Sequence, residues 1–381
     1  MNPIVIVGGG IGGLASALAL AHLGYQSTVL ESRPSSAHID RGDVLHAGVM
    51  PLLSRWGADR DIAAHNPFQF HRFRIASGDG GILLDADTRQ LLGDNHCFTS
   101  LRHPNLAAAL RAAAERTGLV DVVNGGRCVE LLDSGGRISE VHTATATYPS
   151  SLAIIASGAR SRLARRYFGA PNVYRYATAF YNACVRTVDG YGDCGFYILS
   201  DDGAMVLVPL PEGLQRIGIQ VRSSQLNEVG APDFLHETIA ARFRPLAGVP
   251  LELVERPHTY RLYRAVSDRW GRPGAILLGD AARQVHPVGG QGLNLAIRDA
   301  EVLAGCLDAA GCPRTATRID QAIASYGAQR QRSVRPTLRR THLLGVAAER
   351  APTAASMAAV QLAGRIVPVK RNLLQAMMDV R

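Results

Sequence analysis

Two glycine-rich segments lie near opposite ends of this chain, and each has the form of a phosphate-binding turn. The first is Gly8-Gly9-Gly10-Ile11-Gly12-Gly13, and the second comprises Gly279-Asp280-Ala281-Ala282 and Gly289-Gly290-Gln291-Gly292. Backbone N–H groups in such turns, at the start of a helix, bind phosphate groups. The pair therefore predicts a single long nucleotide that contacts both ends of the chain.

The first segment has the flanking sequence that a nucleotide-binding turn requires. The apolar run Ile4 to Val7 predicts a buried strand, and the Ala- and Leu-rich run from Leu14 to Leu23 predicts a helix. In this arrangement Gly8 permits the tight bend, Gly10 lets the backbone approach a pyrophosphate, and Gly13 lets the helix pack closely on the strand. The context favours a binding turn over an ordinary glycine-rich loop.

An acidic residue follows at the position where a ribose is expected. The run Ser27 to Leu30 predicts a second strand, and it ends on Glu31, 23 residues after Gly8. A carboxylate there accepts hydrogen bonds from a ribose diol and repels a 2′-phosphate. The residues up to this point favour FAD or NAD.

The second glycine-rich segment decides between these two cofactors. Ala275 to Leu278 predicts another buried strand, and Asp280 follows at its end, where a polyol chain could bond to it. The glycines of residues 288–292 precede a predicted helix over Leu293 to Leu307, whose N-terminus favours negative charge. FAD has a ribityl chain and a flavin ring that need such partners, so FAD is preferred.

The stretch from Gly279 to Ala300, GDAARQVHPVGGQGLNLAIRDA, resembles the second FAD signature of the class A flavoprotein monooxygenases, the p-hydroxybenzoate hydroxylase-like aromatic hydroxylases. The resemblance implies an α/β fold, in which a Rossmann-like FAD-binding domain is interleaved with an antiparallel-sheet substrate domain and followed by a helical C-terminus. It also implies that Asp280 holds the ribityl chain and that the loop from Pro287 to Asn294 runs beside the flavin.

Two arginine segments fit the same resemblance. Arg102 begins an Ala-rich predicted helix that runs to about Thr117, and Arg41 lies in the loop after the second strand. In each case a solvated surface arginine is the alternative. The predicted cofactor-binding residues are Gly8, Gly10, Gly12, Gly13, Glu31, Arg33, Arg41, Arg102, Asp280, Gly289, Gly290, Gln291, Gly292, Leu293 and Asn294.

The chain departs from the family pattern at three positions. Ser157-Gly158 stands where relatives carry Asp-Gly, Ala164 occupies the place of that motif's final arginine, and Arg283 replaces a usual histidine. A serine hydroxyl brings no charge and less reach than a carboxylate. The resemblance implies NAD(P)H as the electron donor. The serine in place of the aspartate favours the alternative, in which reduction by NAD(P)H is slow or reduced flavin arrives from a separate flavin reductase.

The predicted domain organisation is discontinuous. Strand-like runs, among them Ala177 to Val185 and Arg216 to Val221, indicate an antiparallel sheet in the middle of the chain. The expected FAD-binding domain comprises residues 1–70, 98–167 and 275–335, the substrate-binding β-sheet domain comprises 71–97 and 168–274, and the C-terminal helical segment is 336–381.

Charge and composition restrict the partners and the location. The net charge is +9, but no zinc-finger spacing or recognition-helix pattern accompanies the arginines, so nucleic acid is not expected. Leu362 to Met378 mixes apolar and basic residues and resembles the tail of the ubiquinone-biosynthesis hydroxylase branch. Such a tail could lie on an anionic membrane surface, cover a lipophilic substrate, or simply pack on the domain, the last being favoured.

The sequence has no pattern typical of a membrane span, a signal peptide or a metal site. No run approaches the roughly 18 apolar residues of a membrane span, and no signal peptide precedes the first strand. The six cysteines have no metal-ligand spacing and are expected to be reduced thiols. These observations predict a cytoplasmic protein without a structural metal. The oligomeric state is left open.

The resemblance implies hydroxylation of an aromatic or quinone-like lipophilic small molecule, in which a flavin C4a-hydroperoxide formed from O2 transfers one oxygen atom. His286 and Pro287 in the flavin loop are the candidate catalytic positions. Tyr181, Phe196 and Tyr197 are candidates for an aromatic substrate pocket, with ordinary sheet packing as the alternative. A flavin reductase or halogenase of the same fold, or a non-catalytic FAD-binding protein, remains an alternative function.

Overall fold

The computed structural model describes residues 3–33, 42–227, 229, 233–311, 315–350 and 352–378. The predicted FAD contact at Arg41 lies outside these residues.

Strands make up the greater number of elements in this part of the chain. They are β1 (Ile4–Val7), β2 (Ser27–Glu31), β3 (Gly42–Leu45), β4 (Phe68–Phe70), β5 (Arg72–Ser77), β6 (Ile82–Asp87), β7 (Phe98–Arg102), β8 (Val120–Asn124), β9 (Cys128–Ser134), β10 (Arg137–Thr143), β11 (Thr147–Pro149), β12 (Leu152–Ile155), β13 (Asn172–Arg186), β14 (Cys194–Ser200), β15 (Gly203–Leu210), β16 (Leu214–Arg222), β17 (His258–Val266), β18 (Gly271–Arg272), β19 (Ala275–Leu277) and β20 (Arg283–Gln284).

The helices flank these strands and dominate the C-terminal part of the described chain. They are α1 (Ile11–His22), α2 (Met50–Arg55), α3 (Asp59–Ala63), α4 (Thr88–Leu92), α5 (His103–Arg116), α6 (Arg162–Phe168), α7 (Phe234–Arg242), α8 (Gln291–Ala309), α9 (Ala316–Ala348), α10 (Ala354–Arg365) and α11 (Val367–Met378).

A six-stranded sheet of order β18-β19-β12-β1-β2-β8 carries the first glycine-rich turn. Its strands are parallel except for the edge pair β18 and β19. All four residues of β1 are buried, as expected for a central parallel strand covered on both faces. The predicted Rossmann-like unit of strand, turn and helix is confirmed, and α1 packs against α8.

An eight-stranded sheet of order β20-β17-β13-β16-β15-β14-β5-β6 forms the second layer. The predicted antiparallel sheet is confirmed for most neighbours, but β5 and β14 pair in parallel. These two strands come from distant parts of the chain, so no hairpin turn requires them to be antiparallel. Smaller sheets of order β11-β10-β9 and β3-β7-β4 complete the strand layers.

The C-terminal helices connect the two large sheets. Near its start α9 buries Ile323 and Tyr326 beside the six-stranded sheet, where the Tyr326 hydroxyl donates to the carbonyl oxygen of Leu277 over 3.0 Å. Further on, α10 and α11 pack against β6. The predicted helical C-terminus is confirmed. We propose that the FAD-binding domain comprises residues 1–70, 98–167 and 275–335 and the substrate-binding domain residues 71–97 and 168–274. Within the described ranges no helix has the length and apolar character of a membrane span.

Candidate flavin and substrate site

The first glycine turn is crowded at Gly8 and Gly13 and open at Gly10. Gly8 has a φ of +114°, and a Cβ atom there would lie 2.6 Å from the carbonyl oxygen of Ala156. A Cβ atom on Gly13 would lie 1.9 Å from the carbonyl oxygen of Gly8. By contrast, a Cβ atom on Gly10 would meet nothing within 4 Å. The open face of the turn is therefore at Gly10, at the N-terminus of α1.

Glu31 is fixed beside this turn. Its carboxylate accepts hydrogen bonds from the backbone N–H of Gly9 over 2.9 Å and from the backbone N–H of Arg33 over 2.9 Å. Arg33, a predicted cofactor contact, thus helps to fix the Glu31 carboxylate through its backbone N–H. The carboxylate is only partly buried, so a ribose diol can approach it.

The two glycine-rich segments meet in the fold. A Cβ atom on Gly12 would lie 3.0 Å from Leu278 Cδ2 and 3.3 Å from Ala296 Cβ, so α1 touches the strand and the helix of the second segment. Asp280 comes two residues after Leu278 and lies near the start of α8. A Cβ atom on Gly292 would be 4.0 Å from Asp280 Oδ1. One bound molecule can therefore contact both segments.

Asn294 locks the flavin loop, residues 286–291, to the segment that follows β3. Its Oδ1 accepts from the His46 backbone N–H over 2.9 Å, while its Nδ2 donates to the carbonyl oxygens of Val44 and Gly290, each over 2.9 Å. Gly290 caps α8 in the left-handed conformation, with a φ of +62°. The next residues, Gln291 to Leu293, form the first turn of α8.

Arg102 belongs to a charged cluster beside the cavity. Its Nη2 lies 2.8 Å from Glu255 Oε2, and Arg216 Nη1 lies 2.8 Å from Glu255 Oε1. One carboxylate thus bridges two guanidinium groups at this end of the eight-stranded sheet. Sequence reasoning proposed Arg102 and missed both partners, because they come from β16 and the loop before β17.

A cavity of about 630 Å³ lies between the eight-stranded sheet, the flavin loop and helices α9 to α11. Its described lining contains no aspartate or glutamate. The aromatic lining residues are Phe70, Phe73, Phe98, Phe180, Phe196, Tyr197 and Tyr260, and the basic ones are His46, Arg216, His286, Arg340 and Arg350. The wall formed by α9 has no counterpart among the sequence-based predictions.

The three predicted aromatic residues differ in how they meet this cavity. Tyr197 lines it, and burial raises the pKa of Tyr197 to about 12. Phe196 borders it through its strand, but its ring packs on Tyr191 at 5.3 Å between centroids, in the same apolar cluster as Tyr181. The prediction for Tyr181 was wrong: its ring packs on Phe234 at 5.2 Å between centroids, on the other face of the sheet. Alternate residues of a strand face opposite sides, so it is Phe180, the neighbour of Tyr181, that lines the cavity.

Two buried histidines flank the flavin loop. Burial lowers the pKa of His46 to about 4, with a further contribution from Arg340. Burial likewise lowers the pKa of His286 to about 4, with a smaller contribution from His342. His286 Nδ1 accepts the Val288 backbone N–H over 3.2 Å. Both rings are therefore neutral near pH 7 and can act as hydrogen-bond partners.

The low histidine pKa values predict acid sensitivity. An unfolded histidine binds its proton near pH 6.5, whereas folded His286 does so only near pH 4. Between these values the unfolded state binds more protons, so stability falls as the pH is lowered through this window. His286→Asn keeps an acceptor for Val288 and should remove about 2 kcal/mol of this loss at pH 4.5. Urea titrations at pH 7 and 4.5 measure the free energy of unfolding of both proteins. An equal loss of stability in the variant and the wild type would contradict the prediction.

A buried ion cluster supports the second segment from behind. Asp299 accepts from Arg283 Nη1 over 2.7 Å, from Arg330 Nε over 2.7 Å and from the Gly279 backbone N–H over 3.0 Å. The Arg283 guanidinium also lies 5.3 Å from the ring centroid of Trp270. Arg283, the residue that replaces a histidine, therefore holds the turn that presents Asp280.

Ser157 lies against the first glycine turn. Its Cα atom would be 3.0 Å from a Cβ atom on Gly8. Its hydroxyl is 2.7 Å from Ser161 Oγ, which in turn accepts the Ala164 backbone N–H at the start of α6 over 3.1 Å. The position of the missing aspartate is thus occupied by a neutral pair of hydroxyl groups.

Comparison with known proteins agrees with this geometry. The chain matches the FAD binding domain family over residues 1–341. It is 24% identical over 326 residues to the 3-hydroxybenzoate 6-hydroxylase of Klebsiella oxytoca, covering 82% of this chain and 81% of that one.

Two crystal structures share the fold. That of p-nitrophenol 4-monooxygenase PnpA from Pseudomonas putida has a TM-score of 0.85 at 20% identity, covering 100% of this chain and 99% of the other. That of P. aeruginosa PqsL in complex with 2-aminobenzoylacetate has a TM-score of 0.82 at 21% identity, covering 94% and 99%. Taken with the family match, the chain belongs to the FAD binding domain family of class A flavoprotein monooxygenases, which are FAD-dependent oxidoreductases.

Proposed function

We propose that this protein is an FAD-dependent monooxygenase that inserts one oxygen atom from O2 into a lipophilic aromatic or quinone-like small molecule. One observation carries the proposal: the flavin loop at residues 286–291 forms a wall of the large aromatic-lined cavity. A substrate in that cavity would lie directly beside the cofactor signature. The relatives named above have aromatic compounds in their names, which supports the same substrate class.

The residues present fit FAD. The open face at Gly10 would receive the pyrophosphate, Glu31 the ribose, and Asp280 the ribityl chain, while the left-handed glycines Gly289 and Gly290 carry the flavin loop into the N-terminus of α8. FAD supplies the two-electron chemistry that activates O2. The protein contributes binding, orientation and the exclusion of water.

The cavity also favours one ionisation state of its ligand. Its described lining has arginines and no carboxylate, and its two histidines are neutral because their pKa values are about 4. Arg340 would lower the pKa of a phenol bound beside it, whereas the charge of Arg216 is paired with Glu255 over 2.8 Å. A neutral histidine can hydrogen-bond to the phenol oxygen, and ionised phenols are the more electron-rich targets for an electrophilic oxygen. We therefore propose phenols or enol-type rings as substrates.

The electron donor is the second part of the proposal. The hydroxyl pair at Ser157 and Ser161 brings no charge to a position where relatives carry an aspartate. We propose that NAD(P)H reduces the bound FAD slowly and that reduced flavin from a flavin reductase supports faster turnover.

Incubation with ¹⁸O2 tests both parts. FAD-loaded protein should place one ¹⁸O atom in a product phenol, with NADH, NADPH or chemically reduced FAD as the donor in separate reactions. Incorporation with any donor supports monooxygenation, and the ranking of donors tests the second part. Protein that binds FAD, is reduced, and yet transfers no oxygen to any of a panel of phenols and quinolones would overturn the proposal.

Two neighbouring residues of β13 provide a matched pair for this assay. Phe180→Leu changes the cavity wall and should raise KM by about tenfold or more. Tyr181→Phe changes the opposite face of the sheet and should leave KM unchanged. Equal effects of the two variants would show that substrate does not occupy this cavity.

A further inference from the structure

Helix α10 is an unusual surface element because it has no buried residue. Its sequence, AASMAAVQLAGR, carries no charge before Arg365. An amphipathic helix on a soluble protein normally buries an apolar stripe and turns charged residues to water. This helix instead turns small and apolar residues outwards, which indicates a surface that is covered by something else.

The apolar surface continues on both sides of α10. Nearly half of the exposed large apolar side chains among the described residues lie between 343 and 369. They are Leu343, Leu344, Leu362, Ile366, Val367 and Val369, and the exposures of Leu362 and Val367 are 62% and 57%. A concentration of this kind marks an interaction site more often than chance exposure does.

The chain segment that forms this surface is basic, although Asp85 of the neighbouring β6 lies beside it, where its backbone carbonyl accepts from Lys370 Nζ over 3.1 Å. Between residues 350 and 378 the sequence has four basic residues, Arg350, Arg365, Lys370 and Arg371, and no acidic residue. Apolar residues flanked by Lys and Arg are the signature of a helix that lies in the interface of an anionic bilayer. A second copy of the chain would bring the same basic residues opposite one another, and that repulsion disfavours a symmetric dimer through this surface.

We propose that α10 and the first turn of α11 bind the surface of an anionic lipid bilayer. Leu362, Ile366 and Val367 would enter the acyl boundary, and Arg365 and Arg371 would contact lipid phosphates.

The proposed membrane-binding surface adjoins the substrate cavity. Leu344, Thr353, Ser356 and Val360, from the end of α9 and from α10, also line the cavity. A lipophilic substrate could therefore pass from the bilayer into the cavity without crossing water. This part rests on the proposed monooxygenase function, whereas the membrane contact does not.

Vesicle flotation of the FAD-loaded protein tests the contact. The wild type should bind vesicles of phosphatidylcholine and phosphatidylglycerol at least about tenfold more strongly than vesicles of phosphatidylcholine alone, and added salt should reduce the difference. The double variant Leu362→Glu/Val367→Glu should bind the anionic vesicles about tenfold or more weakly than the wild type does. Val129→Glu/Leu132→Glu, which alters apolar residues exposed on β9, is the matched control and should bind as the wild type does.

The possible failures are distinguishable. Absence of binding by the wild type, or equal loss in the control variant, would overturn the membrane contact. A concentration-dependent dimer that Leu362→Glu/Val367→Glu abolishes, without vesicle binding, would also overturn it and would assign the surface to self-association. Oxygen transfer to a water-soluble phenol is measured separately in the same variants, since neither exposed residue lines the cavity. Vesicle binding without oxygen transfer would therefore count against the monooxygenase proposal alone.

Discussion

Replacing Gly13 with alanine should abolish FAD binding and destabilise the protein. The added Cβ atom would lie 1.9 Å from the carbonyl oxygen of Gly8, which is backbone and cannot rotate away. Either α1 must move from β1 or the turn at Gly8 must open, and both changes destroy the site at Gly10. Overpacking of this kind costs about 1–3 kcal/mol or more. Flavin absorbance of the purified protein and its melting temperature measure the two effects.

Two other glycines make the comparison specific. Gly10→Ala adds a Cβ atom in open space, so the fold should survive while FAD binds more weakly, since that space is where the phosphates would lie. Gly305→Ala in the interior of α8 also meets nothing within 4 Å and should stabilise the protein by up to about 1 kcal/mol. Normal FAD content in Gly13→Ala would contradict this account of the turn.

Replacing Asp299 with asparagine should destabilise the protein by about 3–5 kcal/mol. Asp299 is fully buried, and it is the carboxylate between Arg283 and Arg330. The substitution leaves two buried guanidinium groups without that counter-charge, and it weakens the hold on Gly279. Urea denaturation of the FAD-free protein measures the loss of stability directly, without a contribution from cofactor binding.

The matched control for this substitution lies on the same helix. Glu301→Gln removes the carboxylate that pairs with Arg298 over 2.9 Å at partial exposure, and it should change stability by less than about 1 kcal/mol. If Asp299→Asn were no more destabilising than Glu301→Gln, the buried cluster would not support the second glycine segment.

Local sequence was sufficient to predict the parts of the fold that short segments determine. The strand, turn and helix around Gly8 and Gly13 follow from apolar runs and from the steric needs of a tight turn, all within about 30 residues. The same holds for the strand before Asp280 and the helix after Gly290. Strand-like runs in the middle of the chain indicated the second sheet, and the family resemblance added its role in substrate binding.

Residues whose environment depends on distant segments were less predictable. Tyr181 and Phe180 are adjacent aromatic residues, and only the pairing of β13 decides which of them faces the cavity. Arg283 departs from the family pattern. Its partner is Asp299, and the two residues meet only because α8 packs beside the turn at Gly279. The cavity wall formed by α9 depends on long-range packing that has no local sequence signal, whereas a cover formed by residues 362–378 was one of the alternatives that the sequence left open.

The order of strands in the six-stranded sheet has a consequence for how the protein is made. β1 lies between β2 and β12, and β12 pairs with β19, so the central strands come from residues near 4, 152 and 275. The early part of the nascent chain therefore emerges from the ribosome with one edge of an apolar strand unpaired. Such long-range pairing folds slowly and leaves edges open to aggregation. Recombinant yield should thus depend on slow growth and chaperone supply, and a fragment that stops before β19 would lack a neighbour of β12.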